Sequence, residues 1–135
     1  MPTSSDGYNM IQLSMCGNHT GSTANDRIVI VAQSGCSMMI HGVGGRNIYT
    51  VSPGVDVKIT ILDFNVTMDR IDLSKFRTVR VFSDVILSRG SVIIDLPQSL
   101  RIVLQKCNLD QVTEKMFIFE DKPWTVNVAL QIYSM

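Results

Sequence analysis

The chain has no surplus of charge of either sign: 12 Lys and Arg stand against 12 Asp and Glu over 135 residues. Without a net field, and without a basic run interleaved with aromatics, nothing draws it to nucleic acid or to an anionic membrane. No apolar run approaches the roughly 20 residues needed to span a bilayer. The opening MPTSSDGYNM has neither the basic start nor the apolar centre of a signal peptide. Residues 1–7 are therefore expected to be a disordered polar leader, and 8–135 a single domain. Cysteine is scarce as well. Cys16, Cys36 and Cys107 are odd in number and lack CxxC spacing, so the expectation is three reduced thiols, two of them buried as small apolar residues. Two histidines, His19 and His41, stand 22 positions apart with no HExxH, which excludes the usual zinc spacing.

Helical periodicity is also missing, and what is present is β. Val57-Lys-Ile59-Thr-Ile61 alternates with period two, as do Arg77-Thr-Val79-Arg-Val81 and Trp124-Thr-Val126-Asn-Val128-Ala-Leu130-Gln-Ile132. The run Ile28-Val-Ile-Val31 reads as a strand covered on both faces. Further strands are predicted over 8–13, 38–41, 47–51, 84–87, 91–96, 101–105 and 116–119. Turn formers lie between them, Gly42-Val-Gly44-Gly45 and Leu96-Pro-Gln-Ser-Leu100 among them. The latter joins two apolar strands and reads as a hairpin. The best helical segment, 109–115, is too short to stand without packing. Val31, Ile40 and Tyr49 recur at nine, the spacing of a nonapeptide β-roll in which each half-coil is one strand and one turn. The fold class expected is all-β: a short parallel β-solenoid with a closing antiparallel hairpin and a C-terminal strand.

Particular segments carry a family resemblance. Gly42-Val-Gly44-Gly45-Arg-Asn47-Ile-Tyr49-Thr resembles a final RTX nonapeptide, GGxGxDxUx, with Asn47 in the aspartate place. The segment from Ile59 through Asp63-Phe64 and Asp69-Arg-Ile71-Asp72-Leu73-Ser74 to Phe76 resembles the post-repeat region of serralysin-type proteins. The stretch from Val92 to Phe117-Ile118-Phe119 resembles that family's closing pattern. Together these blocks run from about Asp26 to Phe119, roughly two thirds of the chain. The resemblance implies a C-terminal β-roll region that supports folding and export of a toxin-like or secreted protein. Location in a secreted or host-delivered form follows from the resemblance alone.

Calcium is the ligand that the resemblance implies. In such rolls it lies between adjacent turns, held by loop carbonyls and aspartates, and calcium takes six to eight oxygen ligands. In the period-nine register the aspartate places hold Met38 and Asn47, so most of the ligands are lost. Asp26, Asp63, Asp69 and Asp72 remain as weak calcium candidates, and each reads more simply as a hydrogen-bond cap. No cofactor is expected, with calcium as the alternative. No catalytic residue is expected: Cys36 and His41 share a repeat but lack an orienting partner, and the glycine turn lacks the GK[ST] of a P-loop. Asn18-His-Thr20 and Asn65-Val-Thr67 match the N-glycosylation sequon. The reading is a non-catalytic folding or interaction module whose partner is a protein or the rest of a larger polypeptide. The alternatives are a calcium-binding RTX-type domain and an oligomeric, coat-like β protein.

Overall fold

The computed structural model describes residues 7–88 and 92–120. Their strands are β1 (Asn9–Leu13), β2 (Gly17–Thr20), β3 (Asp26–Ile30), β4 (Ser37–His41), β5 (Ile48–Val51), β6 (Val57–Ile61), β7 (Arg70–Asp72), β8 (Ile86–Ser88), β9 (Val92–Leu96), β10 (Leu100–Leu104) and β11 (Phe117–Ile118). Successive strands from β1 to β6 alternate between two sheets, so the chain winds as a solenoid. The first sheet runs β1-β3-β5-β7-β11 and is parallel throughout. The second runs β2-β4-β6-β10-β9-β8, parallel as far as β10 and antiparallel beyond it.

Alternation decides which side chains enter the core, because successive residues of a strand point to opposite faces. In the first sheet Ile28 lies opposite Tyr49, Tyr49 opposite Ile71, and Ile71 opposite Phe117. In the second, Met38, Ile59, Ile102 and Ile94 form the matching row. Tyr49, Met38, Ile59, Ile71, Ile94 and Ile102 are fully buried. Each such side chain removed from water contributes about 1.5–3 kcal/mol, so this double row is the main source of stability.

Three expectations change here. The coil is not built on nine. Arg27 pairs with Ile48 and Ile48 with Arg70, a repeat of 21 and then 22 residues, and Ser37 pairs with Lys58 at 21. Val31 falls one residue beyond β3 and is 41% exposed, while Ile30 takes the inward place. Second, 77–81 forms no strand; of that segment only Val79 is buried. Third, 109–115 resolves into two 3-10 turns, Leu109–Gln111 and Glu114–Met116. β2 is a strand that polarity concealed: Gly17, Asn18 and Thr20 are exposed, and only its parallel partner β4 makes it one.

The hairpin at Pro97–Ser99 is present, with Gln98 and Ser99 both at positive φ. It returns β10 antiparallel to β9 and lays it beside β6, Leu100 opposite Val57. The C-terminal strand expected over 124–132 and the leader 1–6 lie outside the described residues.

The expectation of three reduced thiols is also overturned. Cys16 and Cys36 form a disulfide with their Cα atoms 5.3 Å apart, and Cys107 is free and buried. The two bonded cysteines are 20 residues apart, about one coil, and each lies just ahead of its strand. Parallel pairing of β2 with β4 therefore brings them side by side. An odd count argues against a pair, and only the register of the solenoid brings these two together.

Candidate functional site

The corners that lead into the first sheet hold the most organised polar chemistry among the described residues. Register places Asn9 beside Asp26, and the same pairing carried one residue back from Ile48 and Arg70 stacks Asn47 and Asp69 on them. Asn9 Nδ2 donates to Asp26 Oδ1 at 3.3 Å. The Asp26 amide donates to Asn47 Oδ1 at 3.2 Å, and the Asn47 amide to Asp69 Oδ1 at 2.9 Å. Asp26, Asn47 and Asp69 are 0%, 3% and 4% exposed, so this ladder runs through the interior.

Each side chain also closes its own turn. Ser22 donates its amide to Asp26 Oδ2 at 2.9 Å and its hydroxyl to Oδ1 at 2.8 Å. The Asn65 amide donates to Asp69 Oδ2 at 2.9 Å. Asn47 acts in the opposite sense, its Nδ2 donating to the Gly44 carbonyl at 3.1 Å. One atom of Asn47 must accept and the other must donate, and only an amide side chain of this length does both. Burial pushes the Asp69 carboxyl above its ordinary value; bonds from Asn65 and Asn47 oppose that rise, and nearby Asp63 adds to it.

Asp63 holds the glycine turn. It accepts from the Gly42 amide at 2.8 Å and from the Val43 amide at 2.9 Å, with His41 Nε2 3.2 Å from its Oδ2. Val43 is at φ +78°, an uncommon place for a β-branched residue, and the paired amide bonds to Asp63 hold it there. Gly42 is required by space: a Cβ would overlap the Tyr49 hydroxyl and stand 2.8 Å from Asn47 Nδ2. Gly45, at φ +74°, would press a Cβ into the Ala24–Asn25 backbone, whereas Gly44 would meet Thr23 only at ordinary contact distance. Asp72 stands apart, on the outward side of β7, accepting from Thr50 Oγ1 at 3.2 Å and the Ser74 amide at 2.9 Å.

Met38 is not at a ligand place. It is fully buried in the apolar row opposite Ile59, and the nine-residue register had put it at a corner it does not occupy. A small hollow of about 180 Å³ is lined by Gly44, Asn47, Asp63, Asn65 and Asp69. The fully buried Tyr49 hydroxyl lies against Gly42 and Asn47, with no hydrogen-bond partner among the described residues. Burial raises the pKa of that hydroxyl, and Asp69 and Asp63 raise it further.

These residues do not fit calcium. The oxygens of Asp26, Asp63 and Asp69 already accept backbone amides or hydroxyls, and Asp72 serves elsewhere. Among the described residues no three His, Cys, Asp or Glu side chains are grouped to hold a metal ion. The Cys36–His41 pair does not survive either. Cys36 is consumed in the disulfide, and His19 turns its Nε2 to the Met15 carbonyl at 2.7 Å, away from His41. A wider hollow of about 610 Å³ opens beside the second sheet, edged by Ser37, Asp56, Lys58, Asp95 and Arg101. There Arg101 Nε meets Asp95 Oδ1 at 2.7 Å. It is a charged surface.

No protein-family model, curated protein or solved structure matches the chain.

The candidates thus divide. Asp26, Asn47 and Asp69 come together as a ladder, Asp63 joins them across the glycine turn, and Asp72 and Met38 do not. Asn9, Ser22, Asn65 and Tyr49 were missed in the sequence. The recurrence of Asn or Asp at 9, 26, 47 and 69, at the first residue of β1 and β3 and one residue ahead of β5 and β7, was the signal that marks them.

Proposed function

We propose that this chain is a non-catalytic β-solenoid module for folding and protein interaction, belonging to the C-terminal region of a larger toxin-like or secreted protein. Its corners are held by side-chain hydrogen bonds. The observation that carries this reading is the buried ladder Asn9–Asp26–Asn47–Asp69: the neighbouring coil's backbone amides donate to Asn47 and Asp69, and the Asn9 side-chain amide donates to Asp26. A carboxylate whose lone pairs already accept amides and a hydroxyl has fewer oxygen sites to offer a cation. The disulfide supports the secreted half of the reading, because such bonds persist in oxidising compartments.

The test is a thermal melt in millimolar calcium against excess chelator. The expected outcome is one melting temperature in both. A site filled at 100 times its Kd would add about 2.7 kcal/mol, so a clear upward shift with calcium overturns this reading in favour of a calcium-binding roll.

A further inference from the structure

We propose that Asn18 and Asn65 are N-glycosylation sites, and that the glycan on Asn18 shields an open sheet edge. This goes beyond the module reading and rests only on its secreted half, through the same disulfide. Both asparagines begin a sequon with threonine at the third place and no proline between, Asn18-His-Thr20 and Asn65-Val-Thr67. A glycan is tolerated only where its asparagine stays in solvent after folding, and both meet that condition.

On β2 the alternation turns His19 toward the core and Asn18 and Thr20 outward, Asn18 beside the exposed Met39 of β4. The Asn18 side chain makes no hydrogen bond among the described residues. At the other site Thr67 donates its amide and its hydroxyl to Asn65 Oδ1, at 3.0 and 2.7 Å. The carbonyl of that side chain is engaged, and the residue itself is exposed. The Cys16–Cys36 disulfide is the independent observation. It indicates folding in an oxidising compartment, and in eukaryotic cells that compartment is also where oligosaccharide is transferred to asparagine.

The step balances. Asparagine Nδ2 bonds to the anomeric carbon of a lipid-pyrophosphate-linked oligosaccharide, the bond from that carbon to the pyrophosphate oxygen breaks, and the amide proton passes to a base of the transferase.

The role at Asn18 follows from its position. β2 is the last strand of the second sheet, so one edge of it is unpaired among the described residues, and such edges recruit strands from other molecules. A hydrated glycan on the outward face of that strand obstructs the approach.

The experiment is to send the full chain into the secretory pathway of a eukaryotic cell line behind a cleavable signal sequence. Intact mass is then compared before and after peptide-N-glycosidase, with retained intracellular protein read the same way if secretion fails. The wild type should carry two enzyme-sensitive chains. Asn18→Gln and Thr20→Ala should each lose one, and Asn65→Gln and Thr67→Ala the other. A bare mass in disulfide-bonded protein overturns the modification, and occupancy of one asparagine alone overturns the assignment of the other. In light scattering over a concentration series, Asn18→Gln should associate at lower concentration than Asn65→Gln. Equal behaviour of the two overturns the shielding role.

Discussion

Replacing Asn47 by aspartate sets the hydrogen-bond account of the corner against the metal account. The introduced carboxylate still accepts from the Asp26 amide, but it faces the Gly44 carbonyl with an acceptor where Nδ2 had donated at 3.1 Å. It does so at a position 3% exposed, one coil from Asp69, whose own carboxyl is already held above its ordinary value by burial. Leaving a buried group unpaired costs about 1–3 kcal/mol, and an uncompensated buried charge costs about 3–5 kcal/mol. Asn47→Ala should therefore lose about 1–3 kcal/mol, and Asn47→Asp at least about 3 kcal/mol at pH 7, against a total stability of roughly 5–15 kcal/mol. Burial raises the folded-state pKa of the new carboxyl. Its deficit is accordingly smallest below the unfolded value, near 4, and grows as pH rises through the folded value. Urea unfolding of wild type and both variants at several pH values, with calcium and with chelator, measures each of these differences. If Asn47→Asp matches the wild type at pH 7, or gains stability specifically from calcium, the reasoning fails and Asn47 is a ligand place awaiting its charge.

Breaking the disulfide, by reductant or by Cys36→Ser, should cost about 3 kcal/mol for the loop it closes, read as a lower urea midpoint; an unchanged midpoint would show that the first coil holds without it. Gly42→Ala should be strongly destabilising through its clash with the Tyr49 hydroxyl. Tyr49→Phe removes an unpartnered buried hydroxyl, so it should be neutral or stabilise by about 1 kcal/mol and partly rescue Gly42→Ala, which a double-mutant cycle of melting curves reports. Phe117 is 7% exposed and stacks near Phe82 and Phe119; Phe117→Ala should cost about 3–5 kcal/mol by denaturant titration, and the half-buried Phe119 distinctly less.

Apolar alternation was the legible part of the fold. Val57–Ile61 and Val92–Leu96 announced themselves because every second residue is branched and buried, and the hairpin between Leu96 and Leu100 was marked by its turn residues. The coil length was not legible from three apolar positions, since Val31, Ile40 and Tyr49 fit a nine-residue spacing while only Ile40 and Tyr49 lie in the core. Parallel pairing over 21 residues leaves no short-range trace, which is why β2, with a single half-buried residue, escaped notice. The same gap explains the site. Asp26, Asn47 and Asp69 were visible singly as candidate ligands, but their stacking and their amide partners depend on register. The role of Asn47 in particular turns on a carbonyl three residues back and an amide a full coil away.

The alternation of the winding between two sheets sets how the domain answers force. Its interstrand hydrogen bonds point along the stack, from β1 at one end of the first sheet to β11 at the other. Tension applied between Gly7 and Glu120 therefore loads those ladders one after another, as a zipper is opened, and not all at once in shear. Coils should peel away singly at low force. β1, outside the loop that Cys16–Cys36 closes, peels first; tension then crosses the disulfide and bypasses β2 and β3 within it.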